Sequence, residues 1–211
     1  MFKDRYDAAL QLAKKLEKYR NNGGIVLAIP RGGVPIGYVV AKELKLPLEI
    51  ILSKKIGHPL NPEFAIGSVS LQGAMINDNV MDVSLDYIQR ESEQIHKKLK
   101  EKFSLYMGNR KSTDLKNKTV IIVDDGIATG STILATVDSI KKSKPKAIII
   151  AVPVSSLFAE SKLSKVVDEF ICLITPENFM GVGQFYDNFS QVSDEEVIQL
   201  LSDANKIKNV A

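Results

Sequence analysis

Apolar positions change period several times along the chain, and each change marks an element. Phe2, Tyr6, Ala9, Leu10, Ala13 and Leu16 recur at three- and four-residue intervals, which predicts an amphipathic helix over residues 2 to 19, ended by Asn21-Asn22-Gly23-Gly24. Ile25 to Ile29 is a short branched run of the kind buried on both faces of a parallel sheet, and Pro30-Arg31-Gly32-Gly33 ends it. Residues 34 to 44 read as helix again. The same order of strand, tight turn and helix recurs over 119 to 142, and Ala147 to Val152 and Phe170 to Ile174 supply two further strands. Between these units the pattern predicts a strand from Leu48 to Ser53, a loop punctuated by glycine and proline over 56 to 66, and a hairpin around Gln72-Gly73. A helix over 84 to 107 follows, with Leu85, Ile88, Ile95 and Leu99 on one stripe and lysines opposite. Ser193-Asp194-Glu195-Glu196 caps a last helix.

Helices alternating with short buried strands place the chain in the α/β class, as an open, mostly parallel, twisted sheet flanked by helices. The expectation is one domain over residues 1 to 211, with a less regular insertion at about 54 to 115 and a C-terminal hood segment at about 175 to 211. Ligands of such sheets sit beyond the carboxyl ends of the strands, so the loops after Ile29 and Val123 are where chemistry is expected.

Composition narrows the function classes. With 45% hydrophobic and 25% charged residues, the 211-residue chain can bury a core. A balance of 28 Lys+Arg against 25 Asp+Glu gives a formal charge of +3, too small to call for a nucleic-acid partner. The longest apolar stretch, Ala147 to Val154, contains a proline and falls far short of the roughly 20 residues of a bilayer span, so no membrane partner is expected. Charges recur from Lys3 through Arg20 without an export pattern, and a single cysteine, Cys172, makes no internal disulfide; a cytoplasmic location is expected. Cys172 reads as a core thiol and His96 as solvated, while His58 is either an acid on a mobile loop or a surface residue.

The densest chemistry follows the strand Val120-Ile121-Ile122-Val123. Asp124-Asp125 comes first, then Gly126-Ile127-Ala128-Thr129-Gly130-Ser131-Thr132, then a helix carrying Leu134, Val137 and Ile140. Glycines permit a tight turn with exposed amides, and the helix start leaves its first N–H groups unpaired, so the loop suits an anion. The helix dipole offers about 0.3–1 kcal/mol, but each hydrogen bond to a charged group adds about 1.5–3 kcal/mol, so direct bonding dominates. The loop is not a nucleoside-triphosphate loop, because no Gly-Lys-Ser/Thr ending is present, and its glycine spacing is not that of a dinucleotide fold. Two carboxylates beside a phosphate repel it unless they bind hydroxyls or a metal. A pentose 5-phosphate satisfies both halves, with its phosphate in the loop and its ribose hydroxyls donating to Asp124 and Asp125.

The run VIIVDDGIATGST resembles the signature of the type I phosphoribosyltransferases, which use phosphoribosyl pyrophosphate (PRPP). The resemblance implies transfer of the phosphoribosyl group to a nitrogen nucleophile, a nucleobase or related small molecule of nucleotide metabolism, with release of pyrophosphate. It implies Mg²⁺ held at Asp124 and Asp125, and a homodimer. Residues Gly126, Ile127, Ala128, Thr129, Gly130, Ser131 and Thr132 then hold the 5′-phosphate, and the turn Arg31, Gly32 and Gly33 holds pyrophosphate through amides and the planar Arg31 fork. One of Lys54 and Lys55 faces the site by strand alternation and joins Arg31, Asp124 and Asp125 as a catalytic candidate, although a solvated strand end explains either lysine as well. The loop from Ile56 to Phe64 closes over the substrate in this reading.

Thr175-Pro176-Glu177-Asn178-Phe179 is similar to a stretch of the purine-salvage branch that stacks an aromatic on the base, which nominates Phe179, with Phe185 and Tyr186 as neighbours. A hydrophobic lid packed on the last helix is the alternative. The hypoxanthine-type members carry an aspartate where this chain has Ala128, so no general base is named from that position, and Glu63 or the acidity of the nucleophile itself stands open. The Arg-Gly-Gly turn, the Lys54-to-Glu63 segment and Gly183-Gln184-Phe185-Tyr186 together look most like small bacterial phosphoribosyltransferases of unassigned acceptor. Two other functions fit the same motif: a PRPP-binding sensor without catalysis, and a sugar-phosphate hydrolase.

Overall fold

The computed structural model describes residues 1–77, 80, 82–110 and 112–208, without the side chains of Glu63, Ile207 and Lys208. Five strands form a parallel sheet: β1 (Ile25–Ala28), β2 (Leu48–Ile50), β6 (Thr119–Val123), β7 (Ala147–Val154) and β8 (Glu169–Ile174), in the order β2-β1-β6-β7-β8. Strands β1 and β6 are buried along their whole length, which is why their sequences read as unbroken branched apolar runs. Edge strand β8 is only half-buried throughout.

Alternation along the strands divides the core in two. Val26, Ala28, Ile121 and Val123 face helices α1 (Arg5–Lys15) and α2 (Gly33–Leu44), together with α6 (Asp194–Lys208). Ile25, Leu27, Val120 and Ile122 face α4 (Ser131–Lys141) and α5 (Leu157–Leu163). From β1 the chain crosses through α2 to β2 on one side, and it later enters β6 on the other side of β1. The strand order therefore reverses between β1 and β6, and the loops leaving their carboxyl ends border the crevice where such sheets bind ligands.

A three-stranded antiparallel sheet of β3 (Ser53–His58), β4 (Asn61–Ser70) and β5 (Gly73–Ile76) lies beside this core, followed by α3 (Leu85–Met107). Here the structure corrects the sequence reading. Residues 56 to 66 form the β3–β4 hairpin rather than a loop. Gly57 and Pro62 mark a bulge: the register shifts on both sides of Gly57, and a Cβ there would stand 2.6 Å from the Pro62 carbonyl oxygen. The expected strand from Leu48 to Ser53 is divided, because β2 ends at Ile50 and Ser53 opens the second sheet.

The first helix starts at Arg5, capped by Asp4, whose carboxylate accepts the Asp7 amide at 2.8 Å. Phe2 instead bridges to Tyr186, and Tyr6 is 58% exposed. Leu85, at the exposed first turn of α3, is 84% exposed; the buried stripe runs through Ile95, Leu99, Phe103, Tyr106 and Met107. His96 is partly buried against the second sheet, with Nε2 3.3 Å from the Leu71 carbonyl oxygen, rather than solvated. Among the described residues no helix is long and apolar enough to cross a membrane.

Candidate active site

Ala28 of β1 pairs with Val123 of β6, so the turns that follow leave the same sheet edge side by side. Their approach is close enough to exclude side chains. A Cβ on Gly33 would lie 2.8 Å from the Val123 carbonyl oxygen, and one on Gly32 only 1.9 Å from Asp125 Oδ2. Both glycines of the first turn are thus required by contact with the acidic pair. The Pro30–Arg31 peptide bond is cis. Arg31 is one-third exposed, with Nη1 3.7 Å from Asp194 Oδ1 at the start of α6.

On the β6 side, Asp124 and residues 126 to 133 line a cavity of about 180 Å³. The Ile127 amide bonds the Val154 carbonyl, and the Ser131 amide points at Thr129 Oγ1 at 3.5 Å. Those of Ala128, Thr129 and Gly130 have no partner among the described residues. Gly130 is in the left-handed region (φ 72°), which turns the chain into α4. Ser131 and Thr132 open that helix exposed. The arrangement is an anion cradle with amides and hydroxyls free to bond.

Between the two turns stand the carboxylates. Burial, and after it the charge of Asp125, pushes Asp124 well above the usual carboxylate range, although its Oδ1 accepts the Asp125 amide at 2.9 Å. Burial also raises Asp125, against the pull of a guanidinium. That guanidinium belongs to Arg5 on α1: its Nε and Nη2 lie 2.9 and 2.8 Å from Asp125 Oδ2, and its Nη1 donates to the Ser190 carbonyl at 2.8 Å. The plane of Arg5 covers the Phe189 ring at 3.9 Å from its centre. A second cavity, of about 490 Å³, is walled by Arg5, Arg31, Gly32, Asp125, Val182 and Phe189. The acidic pair therefore separates an anion cradle from a hollow that the other turn opens into.

A model of the phosphoribosyl transferase domain matches residues 3–190 of the chain. The chain belongs to the phosphoribosyltransferase family. Two Mycobacterium tuberculosis proteins, from strains CDC 1551 and H37Rv and provisionally named phosphoribosyl transferases, are each 35% identical over 213 residues. The match covers 98% of this chain and 47% of theirs, so the chain spans about half the length of the curated relatives it matches. The crystal structure of TT1426 from Thermus thermophilus superposes with a TM-score of 0.89 at 32% identity, covering 96% of this chain and 98% of that one. A hypothetical protein from Neisseria gonorrhoeae with bound ppGpp shares the fold at a TM-score of 0.52 and 14% identity, covering 94% and 92% of the two chains. The parallel sheet with flanking helices is that of the type I phosphoribosyltransferases.

Other nominated residues fall around this phosphoribosyltransferase core. Lys54 is exposed and lines a cavity of about 260 Å³ with Pro30 of the first turn and Thr132 of the loop after β6. Lys55, its neighbour on β3, is half-buried and sits opposite Ser68 in the hairpin. The Phe179 and Phe185 rings stack on each other, 5.9 Å apart and 22° from parallel. Tyr186 is buried between Phe2 and Phe189, and its hydroxyl donates to the Asp125 carbonyl at 2.6 Å, so it braces the acidic turn from below. His58, on the hairpin, has Nε2 3.3 Å from Asp82 Oδ2 ahead of α3. The Glu63 side chain lies outside the described residues. Cys172 is half-buried, its thiol donating to the Ile174 carbonyl at 3.2 Å, and burial raises its pKa.

Among the described residues no group of three or more His, Cys, Asp or Glu could hold a metal ion by itself. Two adjoining carboxylates nevertheless suit Mg²⁺, which keeps several waters and binds through one or two carboxylates together with substrate phosphates. Sequence reasoning missed Arg5, Phe189 and Ser190. Nothing in the local pattern at Arg5 points to an aspartate 120 positions away.

Proposed function

We propose that the chain transfers the phosphoribosyl group of PRPP to a nitrogen nucleophile on a small molecule, releasing pyrophosphate. One observation carries this reading: a buried carboxylate pair held between two turns that present anion-binding groups on neighbouring parallel strands. The amides and hydroxyls from Gly126 to Thr132 take the 5′-phosphate. Asp124 and Asp125 accept the ribose hydroxyls, and Arg31, the Gly32 and Gly33 turn and Lys54 take the pyrophosphate. Asp124 and Asp125 would hold Mg²⁺, and the ion when bound would supply neutralising charge to the leaving group.

The nitrogen lone pair forms a bond to C1′ of the ribose as the C1′–O bond breaks. The departing pyrophosphate keeps that electron pair, and solvent takes up the proton that the nitrogen sheds. Because positive charge grows on the sugar and negative charge on the pyrophosphate, the chain's contribution is electrostatic and positional. Asp124 and Asp125 face the first charge, Arg31 and Lys54 the second. Phe179, Phe185 and Tyr186 stiffen the hood segment that faces the acceptor.

Incubation with Mg²⁺, PRPP and a panel of nitrogenous bases, followed by pyrophosphate assay, tests the reading. Release that depends on a base supports transfer. Release without any base points to hydrolysis, and saturable PRPP binding without turnover points to a sensor. Asp124→Asn with Asp125→Asn is expected to abolish PRPP binding in calorimetry; an unchanged affinity refutes the sugar assignment.

A further inference from the structure

Two segments outside the parallel sheet meet at the turn after β1. Tyr106 lies buried in the last turn of α3, and its hydroxyl donates to Asp194 Oδ1 at 2.5 Å. Asp194 opens α6, which Val197 and Leu201, with Val192 just before it, fasten to the core. The same Oδ1 lies 3.7 Å from Arg31 Nη1. One carboxylate oxygen is therefore shared between a phenol on α3 and the arginine of the β1 turn. Arg31 borders the cavity of the acidic pair, whereas Asp194 is not among that cavity's walls in the described residues. The carboxylate thus meets the guanidinium from outside the cavity.

We propose that Asp194 is a positioning residue that competes with a diphosphate for Arg31 and draws the guanidinium back as the anion leaves, and that Tyr106 sets the strength of this competition. The inference rests on the reading above, in which Arg31 takes the pyrophosphate, and specifies how that group is held and released.

Distances set the balance. An N–H···O bond spans about 2.7–3.2 Å, so at 3.7 Å Asp194 attracts Arg31 without bonding it. The phenol-to-carboxylate bond, by contrast, has the short length of a charge-assisted one. Burial, and after it the bond to Asp194, raises the Tyr106 pKa, so the phenol remains a donor at neutral pH. By engaging Oδ1, Tyr106 holds the carboxylate short of a full pair with Arg31. The guanidinium keeps its planar fork for a phosphate, which can take two of its N–H groups in parallel. With side chains 34% and 43% exposed, Arg31 and Asp194 attract each other as a surface pair does, by no more than about a fivefold factor in an equilibrium constant. A multiply charged anion displaces such a pair, and the pair re-forms when the anion departs.

Calorimetric titration of pyrophosphate with Mg²⁺, and separately of ribose 5-phosphate, into the full chain tests the proposal. Asp194→Asn keeps an acceptor for Tyr106 and removes the charge, so pyrophosphate is expected to bind about two- to fivefold more tightly, with ribose 5-phosphate affinity changed by less than about 1.5-fold. In an Arg31→Ala background the same substitution is expected to change nothing, because the contested group is gone; direct repulsion between Asp194 and the anion would persist there. Tyr106→Phe leaves every charge in place and lets Asp194 close on Arg31, so pyrophosphate is expected to bind about two- to fivefold more weakly. Unchanged pyrophosphate affinity in Asp194→Asn, or a tightening that persists without Arg31, overturns the proposal and leaves the transfer reading intact. A Tyr106→Phe chain with the far-UV circular dichroism and the pyrophosphate affinity of wild type overturns the part given to Tyr106. If pyrophosphate binding follows Arg31 and Asp194 but neither ribose 5-phosphate nor PRPP binds, the competition stands and the transfer reading alone falls.

Discussion

Replacing Arg5 by alanine perturbs the acidic pair without altering the turn after β1 or the loop after β6. Arg5 and Asp125 form an ion pair whose side chains are only 11% and 15% exposed. Removing one partner from such a pair costs about 3–5 kcal/mol, because the other charge is left without compensation. The freed Ser190 carbonyl adds little, since Ser190 is exposed and water replaces the lost bond. The expected loss is therefore about 3–5 kcal/mol at pH 7, or about 6–20 °C in Tm for a chain of this length.

The same argument fixes the pH dependence. Burial holds the folded Asp125 carboxyl above its ordinary value even beside Arg5, and losing the guanidinium that pulls it down raises it further, so between the two folded values Asp125 is neutral in the folded variant but ionised in the folded wild type and in the unfolded chain. The unfolded state then holds fewer protons, so stability falls as pH rises through that window, by at most about 1.4 kcal/mol per unit. The gap between wild type and variant should widen as pH rises through that window in urea unfolding. A gap below 1 kcal/mol at pH 7, or one that stays constant with pH, refutes the reasoning.

Three further substitutions probe the same architecture. Asp124→Asn removes a carboxyl that burial and Asp125 both hold above its usual range, so Tm should rise by a few degrees; a fall in a thermal scan contradicts this. Gly32→Ala places a methyl 1.9 Å from Asp125 Oδ2 and forces the carboxylate aside, so PRPP affinity should drop at least tenfold by calorimetry with the far-UV circular dichroism unchanged. Wild-type affinity in that variant speaks against Asp125 as a sugar ligand. Tyr186→Phe leaves the Asp125 carbonyl without its hydroxyl donor and should cost about 1–3 kcal/mol in urea unfolding, against less than 0.5 kcal/mol if the bond is incidental.

Local signals made much of this architecture legible, and distance hid the rest. Strands β1, β6 and β7 are read from their branched runs because both faces are buried, and the loop that lines the cavity after β6 is read from contiguous residues because one turn builds it. The β3–β4 hairpin escaped, since Gly57, Pro59 and Pro62 interrupt its alternation at the bulge and tip, where composition resembles a loop. Tyr186 was nominated for a ligand because aromatics among glycines look exposed, yet the amino-terminal residues pair with that segment: the Phe2 amide bonds the Phe185 carbonyl, and the Asp187 amide bonds the Phe2 carbonyl.

Arg5 is the most instructive omission. A sequence shows that two adjacent carboxylates at a buried strand end need compensation, but not from where it comes, because the fold alone brings α1 against the loop after β6. Compensation through one oxygen of one carboxylate leaves Asp124 raised and uncompensated by any direct ion pair among the described residues. The site is therefore destabilising on its own, and in the proposed transfer reading ribose hydroxyls or a divalent cation bound there would relieve that penalty. On that reading PRPP with Mg²⁺ should raise Tm in wild type, and the rise should vanish where Asp124→Asn and Asp125→Asn have already removed the charge.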